Sequence, residues 1–128
     1  MPGIDFLSEI NTNTMENQPN HQLEQTILNC AMACEYCATA CLKEEDVKNM
    51  TDCIALDRDC ADVCILAAKL LKRDSSIAKQ YLLLCEEICR MCADECSKHE
   101  HDHCRQCVEA CLTCAEACHL HHEPLHQD

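Results

Sequence analysis

Cys30, Cys34, Cys37 and Cys41 fall at i, i+4, i+7 and i+11. That spacing lays one stripe along an α-helix, because residues three and four apart are neighbours on its surface. A core-facing helix ordinarily puts Leu or Ile on such a stripe; this one carries thiols. The same spelling returns at Cys85, Cys89, Cys92 and Cys96, and variants run through Cys53, Cys60 and Cys64 and through Cys104, Cys107, Cys111, Cys114 and Cys118. The four stripes hold all 16 cysteines of the 128-residue chain. A chain so patterned has to form helices that face one another across sulfur.

Little interrupts those helices. The chain has one glycine, Gly3, and three prolines, Pro2, Pro19 and Pro124, which favours a few long helices over many strands and turns. The sequence predicts an all-α fold, an antiparallel up-down four-helix bundle with a cysteine-lined core. The first helix runs from near Pro19, which suits a first helical turn, to about Lys43. Asp46 is a plausible N-cap for the second, ending near Lys72. Asp74 or Ser75 caps the third, ending near Lys98. The fourth runs from about Glu100 to His122, ahead of Pro124. Each helix spans roughly 23–27 residues, and the short connections force sequential helices to pack antiparallel. Residues 19–123 then form the bundle. Residues 1–18, with Ile4, Phe6, Leu7 and Ile10, are a tail or a short helix lying across it, and residues 124–128 are a second tail.

The chain is also a doubled hairpin. A shift of 55 residues carries the first stripe onto the third, and a shift of 54 carries Cys53, Cys60 and Cys64 onto Cys107, Cys114 and Cys118. Two positions break the match: Asp57 stands opposite Cys111, and Met50 opposite Cys104. Beyond the sulfurs the stripes continue into Leu23, Ile27, Ala67, Leu71, Ala78 and Leu82, all at one end near His122 and Leu125. That end is expected to be an aliphatic plug. The opposite end gathers Cys41, Met50, Cys53, Cys96, Cys104 and the run from His99 to His103, and is expected to be a mouth. His99, His101, His103 and Met50 are candidate ligands there, whereas His119, His121 and His122 fall at the plugged end and face solvent.

Several functions are disfavoured at once. A single glycine leaves no phosphate-binding loop or dinucleotide fingerprint. Three aromatic residues, Phe6, Tyr36 and Tyr81, make no base-stacking platform. A net charge of -13 repels nucleic acid and anionic membranes, so neither is an expected partner. The apolar runs Cys64–Ala68 and Tyr81–Cys85 are too short to span a bilayer. The first residues show no export signal, so the protein is expected to be cytoplasmic. No oriented base accompanies the thiols, so no enzymatic turnover is expected.

Sixteen thiols need a chemical reason. A stability core would use larger side chains, since each buried methylene contributes about 0.8 kcal/mol. Disulfides within a stripe are disfavoured, because Cβ atoms at i and i+4 lie about 5–6 Å apart and a disulfide needs about 3.5–4.5 Å. Metal binding remains. Soft thiolates select Cu(I), Zn(II) and iron–sulfur clusters. Cu(I) is content with two opposed thiolates, and a Cys-x3-Cys pair can splay its sulfurs around one ion. Two unshared thiolates per Cu(I) leave a buried negative charge, whereas bridging thiolates neutralise the column at about one copper per cysteine. Asp57 is expected to perturb the string locally. A zinc or cadmium thiolate sponge and a metal-free thiol redox buffer are the alternatives. An iron–sulfur carrier fits poorly, because such clusters sit on loops.

With these features the chain closely resembles the bacterial copper storage proteins, specifically their cytosolic branch. The resemblance extends from Pro19 to His122. It rests on the four stripes, on pairs such as Cys30/Cys34, Cys60/Cys64 and Cys114/Cys118, and on the histidine-rich run before Cys104. It implies a four-helix bundle filled with Cu(I), a homotetramer, a cytosolic store folded without metal, and a copper chaperone or acceptor as partner. Asp57 and Met50 depart from the pattern and leave Cys53 without an i+4 partner.

Overall fold

The computed structural model describes residues 20–122. Pro19, the segment holding Ile4 to Ile10, and the tail with Pro124 and Leu125 lie outside the described residues. Four α-helices follow in order: α1, His21–Cys41; α2, Thr51–Lys72; α3, Ala78–Cys96; and α4, Asp102–His122. A 3-10 turn, Val47–Asn49, precedes α2. Helix α1 packs on α2 and α4, and α3 packs on the same two, closing a four-sided bundle. At 19 to 22 residues each, the helices are about 30 Å long. They are shorter than the sequence predicts because the links are turns of their own.

Those links correct two capping assignments. Asp46 precedes the 3-10 turn, and its side chain caps nothing; its carboxylate instead takes a hydrogen bond from His101 Nε2 at 3.1 Å. The residue before α2 is Met50, fully buried. Asp74 does not begin α3. It sits in the left-handed region at φ 53 and ends α2, where the Ser75 amide reaches Leu70 O at 2.9 Å and its own amide reaches Leu71 O at 3.1 Å. That paired closure usually employs glycine; Asp is among the few side chains that tolerate the conformation. Ser75 does not cap α3 either: the residue before that helix is Ile77, no side chain caps it, and the Ser75 Oγ accepts the Ile77 amide at 3.3 Å within the link.

The core divides as the stripes predict. Ile27, Ala67, Leu71 and Leu82 are buried together at one end, with Leu23 and Ala78 packed against them. All 16 cysteines are buried without exposed surface. Ile27 is the largest wholly enclosed aliphatic side chain of the plug. Ile27→Ala is therefore expected to cost about 2–5 kcal/mol, lowering the calorimetric midpoint of the metal-free protein by about 10 °C or more. Copper capacity measured on the same variant should not change.

Candidate metal centre

Each cysteine is placed by helical periodicity alone, and the closed bundle turns all four stripes onto one axis. No thiol is in a disulfide. From the plug toward Asp57 the sulfurs form a continuous ladder. Cys85 Sγ lies 4.0 Å from Cys114 and 3.6 Å from Cys64. Cys89 lies 3.6 Å from Cys60 and 3.8 Å from Cys30. Cys111 bridges Cys30 at 3.8 Å and Cys34 at 3.5 Å, and Cys34 meets Cys107 at 3.8 Å. Pairs at i and i+4, such as Cys37/Cys41 and Cys60/Cys64, stand 3.9 and 4.0 Å apart.

The ladder resolves into overlapping quartets, each with its ligand atoms within 4.8 Å of one another. Cys64, Cys85, Cys89 and Cys114 form one; Cys30, Cys60, Cys64 and Cys89 the next; then Cys30, Cys34, Cys60 and Cys111; then Cys34, Cys92, Cys107 and Cys111. Each neighbouring pair of quartets shares two sulfurs. A fifth group, Cys37, Cys41, Cys53 and Cys104, sits at the mouth. Cys118 is buried beyond Cys114 toward the plug. Sharing matters chemically: a thiolate that belongs to two sites divides its charge between two cations.

Asp57 interrupts the ladder between the fourth quartet and the mouth. Its Oδ1 takes hydrogen bonds from Cys107 at 3.1 Å, Cys92 at 3.2 Å and Cys96 at 3.5 Å, and its Oδ2 takes one from Cys53 at 3.7 Å. Burial, reinforced by Cys107 and Cys92, pushes the carboxyl up to about 11. Cys53, lacking an i+4 thiol, finds Cys96 across the bundle at 3.0 Å.

Burial disfavours the thiolate at the mouth as well, raising Cys104 to about 11 and Cys41 further. Deeper in, hydrogen bonds from neighbouring thiols outweigh burial at some positions. Cys111 and Cys114 hold Cys30 low, and Cys107 and Cys111 hold Cys92 low.

Of the histidines, His103 alone has ring contacts to the thiols among the described residues. Its Nδ1 lies 3.6 Å from Cys37 and Cys104 and 3.8 Å from Cys41, while its Nε2 is held by Glu44 at 2.7 Å. His101 stacks on the outer face of His103, ring centroids 5.3 Å apart, and bonds to Asp46 and Glu44. His99 is turned to Glu95 at 3.1 Å. His119 pairs with Glu86 at 3.2 Å, and His121 is exposed. The sequence reading missed Glu44. Its signal was the acidic run from Glu44 to Asp46, opposite the histidines across the mouth.

A family description, copper storage protein, matches residues 16–123. The chain belongs to the copper storage protein family. Among its solved relatives is Cu(I)-bound copper storage protein BsCsp3, 44% identical with a TM-score of 0.78, over 80% of this chain and 97% of that one. A cytosolic copper storage protein from Streptomyces lividans, solved with five coppers, is 41% identical with a TM-score of 0.77, over 79% of this chain and 89% of that one. A cysteine-rich protein of Bacillus subtilis (strain 168), YhjQ, is 47% identical over 84 residues, 66% of this chain and 78% of its own length. A single sulfur quartet would equally suit zinc, for which bonds of about 2.3 Å put tetrahedral sulfurs about 3.8 Å apart. Membership in the copper storage family decides between the metals. No described helix is long and apolar enough to cross a membrane.

Proposed function

We propose that this chain stores many Cu(I) ions, with all 16 cysteines as the ligands and about one copper per cysteine at saturation. The sharing of two sulfurs between neighbours among the first four quartets carries this reading. An ion held in line between two sulfurs, with bonds near the ~2.3 Å of a zinc thiolate, needs them about 4.6 Å apart. The ladder's contacts of 3.5 to 4.0 Å open to that span with small side-chain movements. Each Cu(I) displaces one thiol proton. Where every thiolate bridges two ions and every ion takes two thiolates, charge cancels along the column, and no net charge is left in a dry core.

His103 supports uptake at the mouth, because imidazole binds Cu(I) less firmly than thiolate and passes the ion to Cys37, Cys41 or Cys104. Met50, buried beside that end, offers a thioether. His99 and His101 need a change of partner before either ligates. Storage in the cytosol is supported by the likeness to the Streptomyces lividans protein described as cytosolic. A homotetramer is supported by large apolar side chains exposed outside the bundle, among them Met32, Tyr36, Leu84 and Met91. Residues 19–123 serve as the copper-binding unit, and a copper chaperone or acceptor meets it at the mouth.

Anaerobic Cu(I) titration against a chromophoric chelator tests the reading. Uptake should continue to roughly one ion per cysteine, with one proton released per copper. Saturation at one or two ions, or displacement of copper by Zn(II), would overturn it.

A further inference from the structure

The seam between α1 and α4 differs from the other three sides of the bundle. Its two helices are not joined by a short connection, and they pack least closely of the four neighbouring pairs. A cleft of about 350 Å³ opens there. Thr26 and Asn29 line it from α1, and Gln106, Glu109 and Thr113 from α4. Helix seams are ordinarily closed by interdigitating apolar side chains. Here hydroxyls, amides and a carboxylate share the walls with aliphatic stems, and the small Ala110 leaves the space unfilled.

Behind the cleft stands Cys30, which helps line it yet has no exposed surface. Its sulfur lies 3.8 Å from both Cys89 and Cys111, and it belongs to two of the overlapping quartets. Other thiol contacts cross the same seam: Cys34 with Cys111 and with Cys107. Local separation of α1 from α4 therefore exposes the middle of the ladder. The histidine mouth is elsewhere, since the 11 residues from Cys30 to Cys41 amount to about 16 Å of helix.

Resting on the storage reading and deepening it, we infer that this cleft is a lateral exchange site at which a small hydrophilic thiol bearing a cationic group trades Cu(I) with Cys30. The volume, equal to about twelve waters at ~30 Å³ each, admits an aminothiol. Glu109 attracts the ammonium, and the amides and hydroxyls accept the rest of the polar body. The exchange balances without redox change. A copper–sulfur bond to the incoming thiol forms as the bond to Cys30 breaks, and the incoming thiol's proton moves to the Cys30 sulfur. Cys30 joins two quartets, so a vacancy made there propagates along the ladder both ways.

The test uses the full chain loaded with Cu(I), cysteamine as the extracting thiol, thioglycolate as its anionic counterpart, and a chelator to trap what is released. Ala110→Leu fills the cleft and keeps a strong helix former. It should slow extraction by cysteamine roughly fivefold or more, with copper count and unfolding midpoint unchanged. Glu109→Gln should slow cysteamine and not slow thioglycolate. A full copper count with wild-type extraction rates in both variants would overturn the lateral site alone. A wild-type count of two or fewer would instead remove the storage reading on which it rests.

Discussion

Filling the column with Cu(I) should raise the midpoint of thermal unfolding by several tens of degrees. A ligand that binds only the folded state stabilises it by RT ln(1 + [L]/Kd), about 2.7 kcal/mol at one hundred times Kd. Four ions held that well add about 11 kcal/mol, as much as the entire stability of an ordinary domain. For a domain of this size each kcal/mol moves the midpoint by about 4 °C. The unfolded chain keeps its cysteines but loses the overlapping quartets, so it competes poorly. Calorimetry on the metal-free and loaded forms, followed by chelation under anaerobic conditions, measures the effect and its reversal. A shift below about 10 °C at full loading would mean that the ions sit on the surface.

The metal-free protein should nonetheless fold, unlike a zinc finger, whose metal supplies its folding energy. The reason lies in the two halves of the core. Ile27, Leu71 and Leu82 close one end, and neutral thiols behave as small hydrophobes along the rest. A far-ultraviolet spectrum of the apo form should therefore already be helical. The store is a preformed thiol core in which protons are exchanged for copper.

Much of this arrangement is legible in the sequence because helical periodicity is local. The i, i+4, i+7 stripes place every sulfur on the inner face, and the internal repeat pairs the stripes. The aliphatic continuations identify the plug. What fails is whatever depends on a link between helices. Asp74 has the composition of an N-cap and of a left-handed helix terminus, and only the packing of Leu70 and Leu71 decides which it becomes. Among the three mouth histidines, sequence spacing points all of them inward. One residue of rotation is about 100°, and Glu44 and Asp46 select His103 for the thiols by holding it and His101 from the far side. The cleft between α1 and α4 has no periodic signal, because it arises from small and polar residues contributed by opposite ends of the chain.

Asp57 carries the second large expectation, and its sign follows from the proton count. An unfolded Asp titrates near 3.9; in the folded chain, burial first and Cys107 and Cys92 next push it up to about 11. Between those values the folded state holds a proton that the unfolded state has released. Stability is therefore fully present below the unfolded value and falls as pH rises, by about 1.4 kcal/mol per unit. Asp57→Asn abolishes that dependence while keeping the size and the hydrogen bonds available to Cys53, Cys92, Cys96 and Cys107. From pH 5 to pH 7 the metal-free variant should gain about 2.7 kcal/mol on the wild type, or about 10 °C in midpoint. Taking the difference between the two proteins removes the contributions of the histidines and thiols common to both. Parallel midpoint curves for wild type and variant across this range would show that the carboxyl is already ionised inside the bundle, paired with protonated thiols. The sulfurs around it would then have to lose their protons to copper against a fixed negative charge.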